Sequence, residues 1–180
     1  FADNASGNGS NSIVFEATGT ANGVDTFDNS VFKGGALAAG GDVFNFSLLD
    51  AAGSGNNIGG TGKVAVQAIT VAPGSDNSVI CLTGANYADA AAVLDALEAA
   101  DAWNTWESGT TELVVIAPLS VDSLGIFVAD GNSAAGDEES IQQFATVTGW
   151  SGDNAGKTTA QVNWCNSLHT GNDSVNFILG

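Results

Sequence analysis

Leu113-Val114-Val115-Ile116 and, a little further on, Gly125-Ile126-Phe127-Val128-Ala129 are the stretches that decide the fold. A strand with one wet face alternates polar and apolar residues, because successive side chains point to opposite sides. A run that is apolar at every position predicts a strand covered on both faces, at the centre of a sheet. Outward from this centre, Val43-Phe44-Asn45-Phe46-Ser47-Leu48 has the other pattern. Phe44, Phe46 and Leu48 fall on one face and Asn45 and Ser47 on the other, which predicts a half-buried strand.

The same reasoning places strands at Asn11–Thr18, Val43–Leu49, Lys63–Val71, Ser78–Thr83, Glu112–Ala117, Gly125–Ala129, Gln143–Thr148, Thr159–Cys165 and Ser174–Leu179. Between them lie clusters of Gly, Asn, Asp and Ser. With 24 Gly and only 2 Pro, this is the punctuation of a β protein. One segment departs from it. Tyr87–Ala102 is half Ala, with Leu94 and Leu97, and predicts a helix, capped by Asn86 with Asp89 near its positive end. Its buried stripe is expected to be Tyr87, Ala91, Leu94 and Leu97. The expected fold is therefore mainly β, a β-sandwich or stacked-sheet domain with one packed α-helix over about 87–102. Residues 1–180 are expected to form a single domain, with 1–12 an extended N-terminal segment. The start at Phe1 and the lack of Met point to a processed product or an excised segment.

Charge narrows the function. Twenty acidic residues face only Lys33, Lys63 and Lys157, for a net charge of −17. A nucleic-acid partner needs a basic surface, so nucleic acid is excluded as a class. No apolar run reaches the ~20 residues of a membrane helix, and membrane insertion is not expected. Self-repulsion at this charge disfavours a compact state, and bound cations relieve it. Ca²⁺ takes carboxylate, amide and carbonyl oxygens, in which the Asp/Asn/Gly loops are rich. The plainer alternative is that the acidity serves solubility alone.

The strongest candidate for a cation loop is Asp130-Gly131-Asn132-Ser133-Ala134-Ala135-Gly136-Asp137-Glu138-Glu139. Asp130 and Asn132 offer oxygens at alternate positions, Gly131 and Gly136 let the backbone curl, and Asp137, Glu138 or Glu139 closes the shell. The alternative is a solvated acidic turn. Three shorter motifs share the pattern Gly-x-Asp-x-apolar. They are Gly23-Val24-Asp25-Thr26-Phe27, Gly40-Gly41-Asp42-Val43-Phe44 and Gly171-Asn172-Asp173-Ser174-Val175. These resemble degenerate units of the repeat of RTX (hemolysin-type) calcium-binding proteins exported by type I secretion. The Tyr87–Ala102 helix, the strands and acidic loop that follow it, and the tail Asp173–Leu179 also resemble the non-repetitive C-terminal region of such proteins. The resemblance implies an extracellular location, Ca²⁺ bound at Asp25, Asp42 and Asp173 as well as in the acidic loop, and a surface, adhesive or S-layer role.

Catalytic signals are few. His169 is the one histidine, no Gly-x-Ser-x-Gly elbow is present, and acid pairs such as Glu107/Glu112 arise by chance in so acidic a chain. Cys81 and Cys165 have no metal-ligand spacing and are expected to pair as a disulfide in an oxidising compartment; two buried thiols are the alternative. Trp103, Trp106, Trp150 and Trp164 are expected mainly in the core, although exposed Trp would stack on sugars. The overall expectation is a non-enzymatic, secreted, self-assembling subunit of an S-layer, surface filament or adhesin. Ile13, Val14 and Phe15 would add as a strand to a neighbouring copy. The alternative is a carbohydrate-binding β-sandwich module that meets surface glycans.

Overall fold

The computed structural model describes residues 12–14, 24–28, 43–45, 58, 63–107, 112–131, 140–149, 161–165, 169–170, 173–174 and 177–178. The strands are β1 (Ser12–Val14), β2 (Asp25–Asp28), β3 (Val43–Asn45), β4 (Lys63–Ala68), β5 (Asn77–Thr83), β6 (Glu112–Ser120), β7 (Ser123–Asp130), β8 (Ser140–Thr148), β9 (His169–Thr170), β10 (Asp173–Ser174) and β11 (Phe177–Ile178). One helix, α1 (Ala90–Glu98), joins β5 to β6, followed by a 3₁₀ turn at Asp101–Trp103 and one helical turn at Asn104–Glu107. The large sheet has the order β2-β8-β7-β6-β5-β4-β10-β9, and a small sheet has the order β1-β3-β11. The protein is mainly β with one packed helix, as its sequence predicts.

β6 and β7 form the centre. They pair antiparallel around a two-residue turn, with Ser120 opposite Ser123. The Ser120 and Ser123 hydroxyls lie 2.8 Å apart, and the Asp122 N–H donates to Ser120 Oγ at 3.0 Å. Alternation along β6 sends Val114 and Ile116 into one core and Leu113, Val115 and Ala117 into the other. β7 divides likewise, with Leu124, Ile126 and Val128 against Phe127 and Ala129. Covering on both faces is thus met by two cores. The first contains Ile13 of β1 and Phe44 of β3; the ring of Phe44 meets Phe27 of β2 edge-on at 6.3 Å. The second contains Val93 and Leu97 of α1 with Trp103 and Trp106. Pro118, which has no N–H to give, lies beyond the last β5 partner pair, Cys81 with Ile116.

β4 and β5 are parallel although only residues 69–76 connect them. Parallel neighbours ordinarily need a crossover of about a dozen residues or more. Here the chain turns at once, the Val71 N–H donating to the Ala68 carbonyl at 3.0 Å, and turns again as the Asn77 N–H meets the Gly74 carbonyl at 2.9 Å. The indole N–H of Trp103 holds the Ile69 carbonyl at 2.8 Å. This turn ends β4 at Ala68, three residues before the expected Val71.

Four other expectations need correcting. The predicted strand Thr159–Cys165 is helical over 161–165, with Gln161, Trp164 and Cys165 buried at helical spacing and Asn163 exposed. The predicted strand Ser174–Leu179 is two short strands in different sheets, β10 and β11. The polar β2 was not expected; it pairs with β8 and buries only Phe27 among its described side chains. Helix α1 is capped by Asp89, whose carboxylate accepts the Ala92 N–H at 2.9 Å, not by Asn86. Tyr87 precedes the helix, its N–H bound to the Pro118 carbonyl at 2.8 Å. With the start three residues later, the buried face turns to Val93 and Leu97, Ala91 is exposed and Leu94 is half-buried. The extended segment expected at 1–12 falls outside the described residues but for Ser12.

Candidate functional site

The register of the central hairpin sets Glu112, the first residue of β6, directly opposite Asp130, the last of β7. Both lie on the side of Val114, Ile116, Ile126 and Val128, because directly opposed residues share a face. Glu112 is 0% exposed and Asp130 5%. Opposed side chains start from Cβ atoms about 5 Å apart, so two carboxyl groups are held side by side in the protein interior. Two such groups side by side repel one another when both are charged, and a shared proton or a bound cation relieves that repulsion. Carboxylate oxygens in this arrangement suit a hard cation.

The surroundings hold the pair in place. Ile58 bridges to Glu112 and Ser140 pairs with Asp130. Gly131 passes so close to the Trp106 backbone that an added Cβ would lie 2.3 Å from its carbonyl oxygen. Gly131 is therefore needed for close approach at the point where the chain leaves the sheet. The sequence sets Asp130 in a candidate cation loop, but shows Glu112 only in a chance acid pair with Glu107, the kind of pair that could flank a sugar. The hairpin itself carried the missing signal, since a two-residue turn after Ser120 brings 112 opposite 130. Buried as it is, Glu112 is out of reach of a sugar.

The remaining candidate ligands are dispersed. Asp25 opens β2 and is exposed, and Asp173 opens β10, opposite Lys63 and Thr170. β2 and β10 stand six strands apart in the sheet order, about 29 Å at the usual strand spacing, so Asp25 and Asp173 serve no common ion. β7 lies between them, two strands from β2 and four from β10. Asp42, Asn132, Asp137 and Glu138 lie outside the described residues. No group of three His, Cys, Asp or Glu side chains gathers among the described residues. Asp76 is instead engaged by Lys63 at 2.7 Å, and that hydrogen-bonded ammonium holds its carboxyl below the ordinary value.

Cys81 and Cys165 do come together. Both are buried free thiols in hydrogen-bonding contact, and burial first, then that contact, pushes the Cys81 thiol well above its ordinary value. The juxtaposition expected of a disulfide is present, with the sulfurs as thiols. Trp103, Trp106 and Trp164 are buried, so these three present no stacking face to a glycan; Trp150 lies outside the described residues. His169 is in β9, paired with Ser174. Ile13 is buried in the chain's own core and paired with Phe44 of β3, while Val14 is exposed. Addition of β1 to a neighbour would require it to leave β3. Phe15 is outside the described residues. Among the described residues no helix is long and apolar enough to cross a membrane. No known protein family, curated protein or solved structure matches this chain.

Proposed function

We propose that this chain is a structural module of the extracellular surface, stabilised by bound Ca²⁺ and assembling with copies of itself. The observation that carries the reading is the buried Glu112–Asp130 pair in a chain of net charge −17. A divalent cation there cancels repulsion that the fold otherwise has to bear, and it fixes the end of the central hairpin. The sequence that follows supplies Asp137, Glu138 and Glu139 as further oxygen donors. Assembly draws on the sheet edge at β2, the last strand on its side of the described sheet, which offers backbone groups to another copy. The extracellular setting draws on the RTX-like Gly-x-Asp-x-apolar motifs. Each of the three lies at the start of a strand, with Asp25 opening β2, Asp42 preceding β3 and Asp173 opening β10.

The test is thermal melting and sedimentation of the full chain with millimolar CaCl₂ and after exhaustive chelation. At a calcium concentration about a hundredfold above Kd the stabilisation is ~2.7 kcal/mol, or roughly 5–10 °C for a chain of this size. Glu112→Gln separates a bridging cation from a shared proton. With a cation, the calcium-dependent rise shrinks; with a shared proton, Gln replaces a neutral acid and neither protein responds to chelation. Melting and sedimentation that ignore chelation in the unaltered chain overturn the reading.

A further inference from the structure

Two thiols meet from distant parts of the chain. Cys81 lies in the middle of β5, fully buried in the first core beside Val79, with Ile116 of β6 as its backbone partner. Cys165 is the last described residue of the helical stretch 161–165 and is 3% exposed. The first described residue of that stretch is fixed independently. Gln161 is itself buried, and its side-chain amide donates to the Ser120 carbonyl at 3.0 Å. The stretch is therefore anchored at Gln161 by an amide on the hairpin turn and presents a thiol to the central sheet at Cys165. Trp164 packs into the same core.

We propose that Cys81 and Cys165 are oxidised to a disulfide that fastens the turn 161–165 to strand β5, and that the bond forms before the turn docks. The reaction is thiol–disulfide exchange with a small disulfide such as oxidised glutathione, or with the disulfide of an oxidoreductase. One cysteine thiolate attacks the oxidant, forming a mixed disulfide and releasing one thiol. The second cysteine then attacks the mixed disulfide, closing the Cys81–Cys165 bond and releasing the second thiol. The chain loses two electrons and two protons, and the oxidant disulfide is reduced to two thiols. The order of events follows from burial. Exchange needs an exposed thiolate, whereas the docked thiols are shielded from any oxidant, and burial holds Cys81 protonated. The bond closes a loop of 84 residues (165 − 81), long enough to restrict the unfolded chain substantially. The proposal is independent of the calcium reading.

The experiment uses the full chain, refolded from denaturant either in a mixture of reduced and oxidised glutathione or in excess reductant. In the first case both thiols should be consumed, the intact mass should fall by two hydrogens, and the melting temperature should stand about 10 °C above that of the reduced protein. Protein folded first in reductant and then moved to the glutathione mixture should keep titratable thiols far longer than the refolding chain. Cys165→Ala, refolded in the same mixture, should lose no hydrogens and melt alike with and without reductant. Two free thiols after refolding in the glutathione mixture, or a disulfide-linked dimer on a non-reducing gel, overturn the bond. Oxidation of the folded dithiol as fast as that of the refolding chain overturns the order of events.

Discussion

Gly131→Ala is the sharpest probe of how the candidate site is built into the core. The added Cβ would meet the Trp106 carbonyl oxygen at 2.3 Å, its carbonyl carbon at 3.0 Å and its ring at 3.1 Å. Ordinary contact between such atoms is about 3.5 Å, so one backbone has to retreat by about 1 Å. Neither side yields readily. On one side Asp130 is tied into β7 between β6 and β8. On the other, Trp106 packs edge-on against Trp103 at 5.6 Å, and Trp103 is itself hydrogen-bonded to Ile69. The cost falls at the upper end of the overpacking range, about 3 kcal/mol, or a melting temperature lower by roughly 6–12 °C.

Two further glycines make the measurement interpretable. Gly84 has φ +107° but open space where a Cβ would stand, so Gly84→Ala reports backbone strain alone, on the order of 1–2 kcal/mol. At Gly125 the added Cβ would meet the Phe127 ring at 2.4 Å; that ring is fully buried in the second core, so Gly125→Ala should also fall in the overpacking range, about 3 kcal/mol. Urea melts of the three variants at matched m-value rank Gly131 and Gly125 above Gly84. Gly131→Ala with unchanged stability would refute the close approach and, with it, the anchoring of the Asp130 end against Trp106.

Asp89→Ala removes the side chain that accepts the Ala92 N–H and should cost about 1 kcal/mol, while Asn86→Ala should cost far less; equilibrium unfolding of both variants decides which residue caps α1. Phe44→Ala deletes a fully buried ring that joins the small sheet to the first core and should cost about 3–5 kcal/mol, whereas Val14→Ala, at a side chain 48% exposed, should stay within about 0.5 kcal/mol in the same denaturant melts. Alkaline pH should destabilise the reduced protein selectively. The Cys81 thiol is raised well above its ordinary value of 9.0 in the fold, so its contribution is complete below that pH and is lost as pH rises toward the folded value, at up to about 1.4 kcal/mol per pH unit. The oxidised protein has no such thiol, and a pH series of melts on both forms should diverge above pH 9; parallel curves would contradict the burial of that thiol.

The centre of the fold was legible because its signal is local. Leu113–Ile116 is apolar at every position, and only a strand covered on both faces makes sense of that. Where meaning depended on distant partners, the sequence misled. Gln161-Val162-Asn163-Trp164-Cys165 has strand-forming residues, yet its buried positions are 161, 164 and 165, because Gln161 is claimed by the Ser120 carbonyl and Cys165 by Cys81. Asp25–Asp28 was missed because an edge strand needs only one buried ring, and Phe27 supplies it. At the candidate site Asp130 could be picked out from its Gly- and Asn-rich neighbourhood. Its partner could not be found by scanning for nearby acids, since Glu112 is distant along the chain and adjacent only through hairpin register.

The two proposed fastenings act on different parts of one central unit. Glu112 and Asp130 stand at the open end of the β6–β7 hairpin, while Cys81 lies opposite Ile116, four residues further along β6, about 13 Å at the usual rise per residue. Gln161 carries the second fastening on to the Ser120 carbonyl at the closed end. Groups more than about 10 Å apart contribute nearly independently to stability. A cation at the open end lowers the electrostatic cost of the folded state, whereas a disulfide restricts the unfolded chain. One opposes charge repulsion in a chain of net charge −17 and the other opposes chain entropy, so neither substitutes for the other.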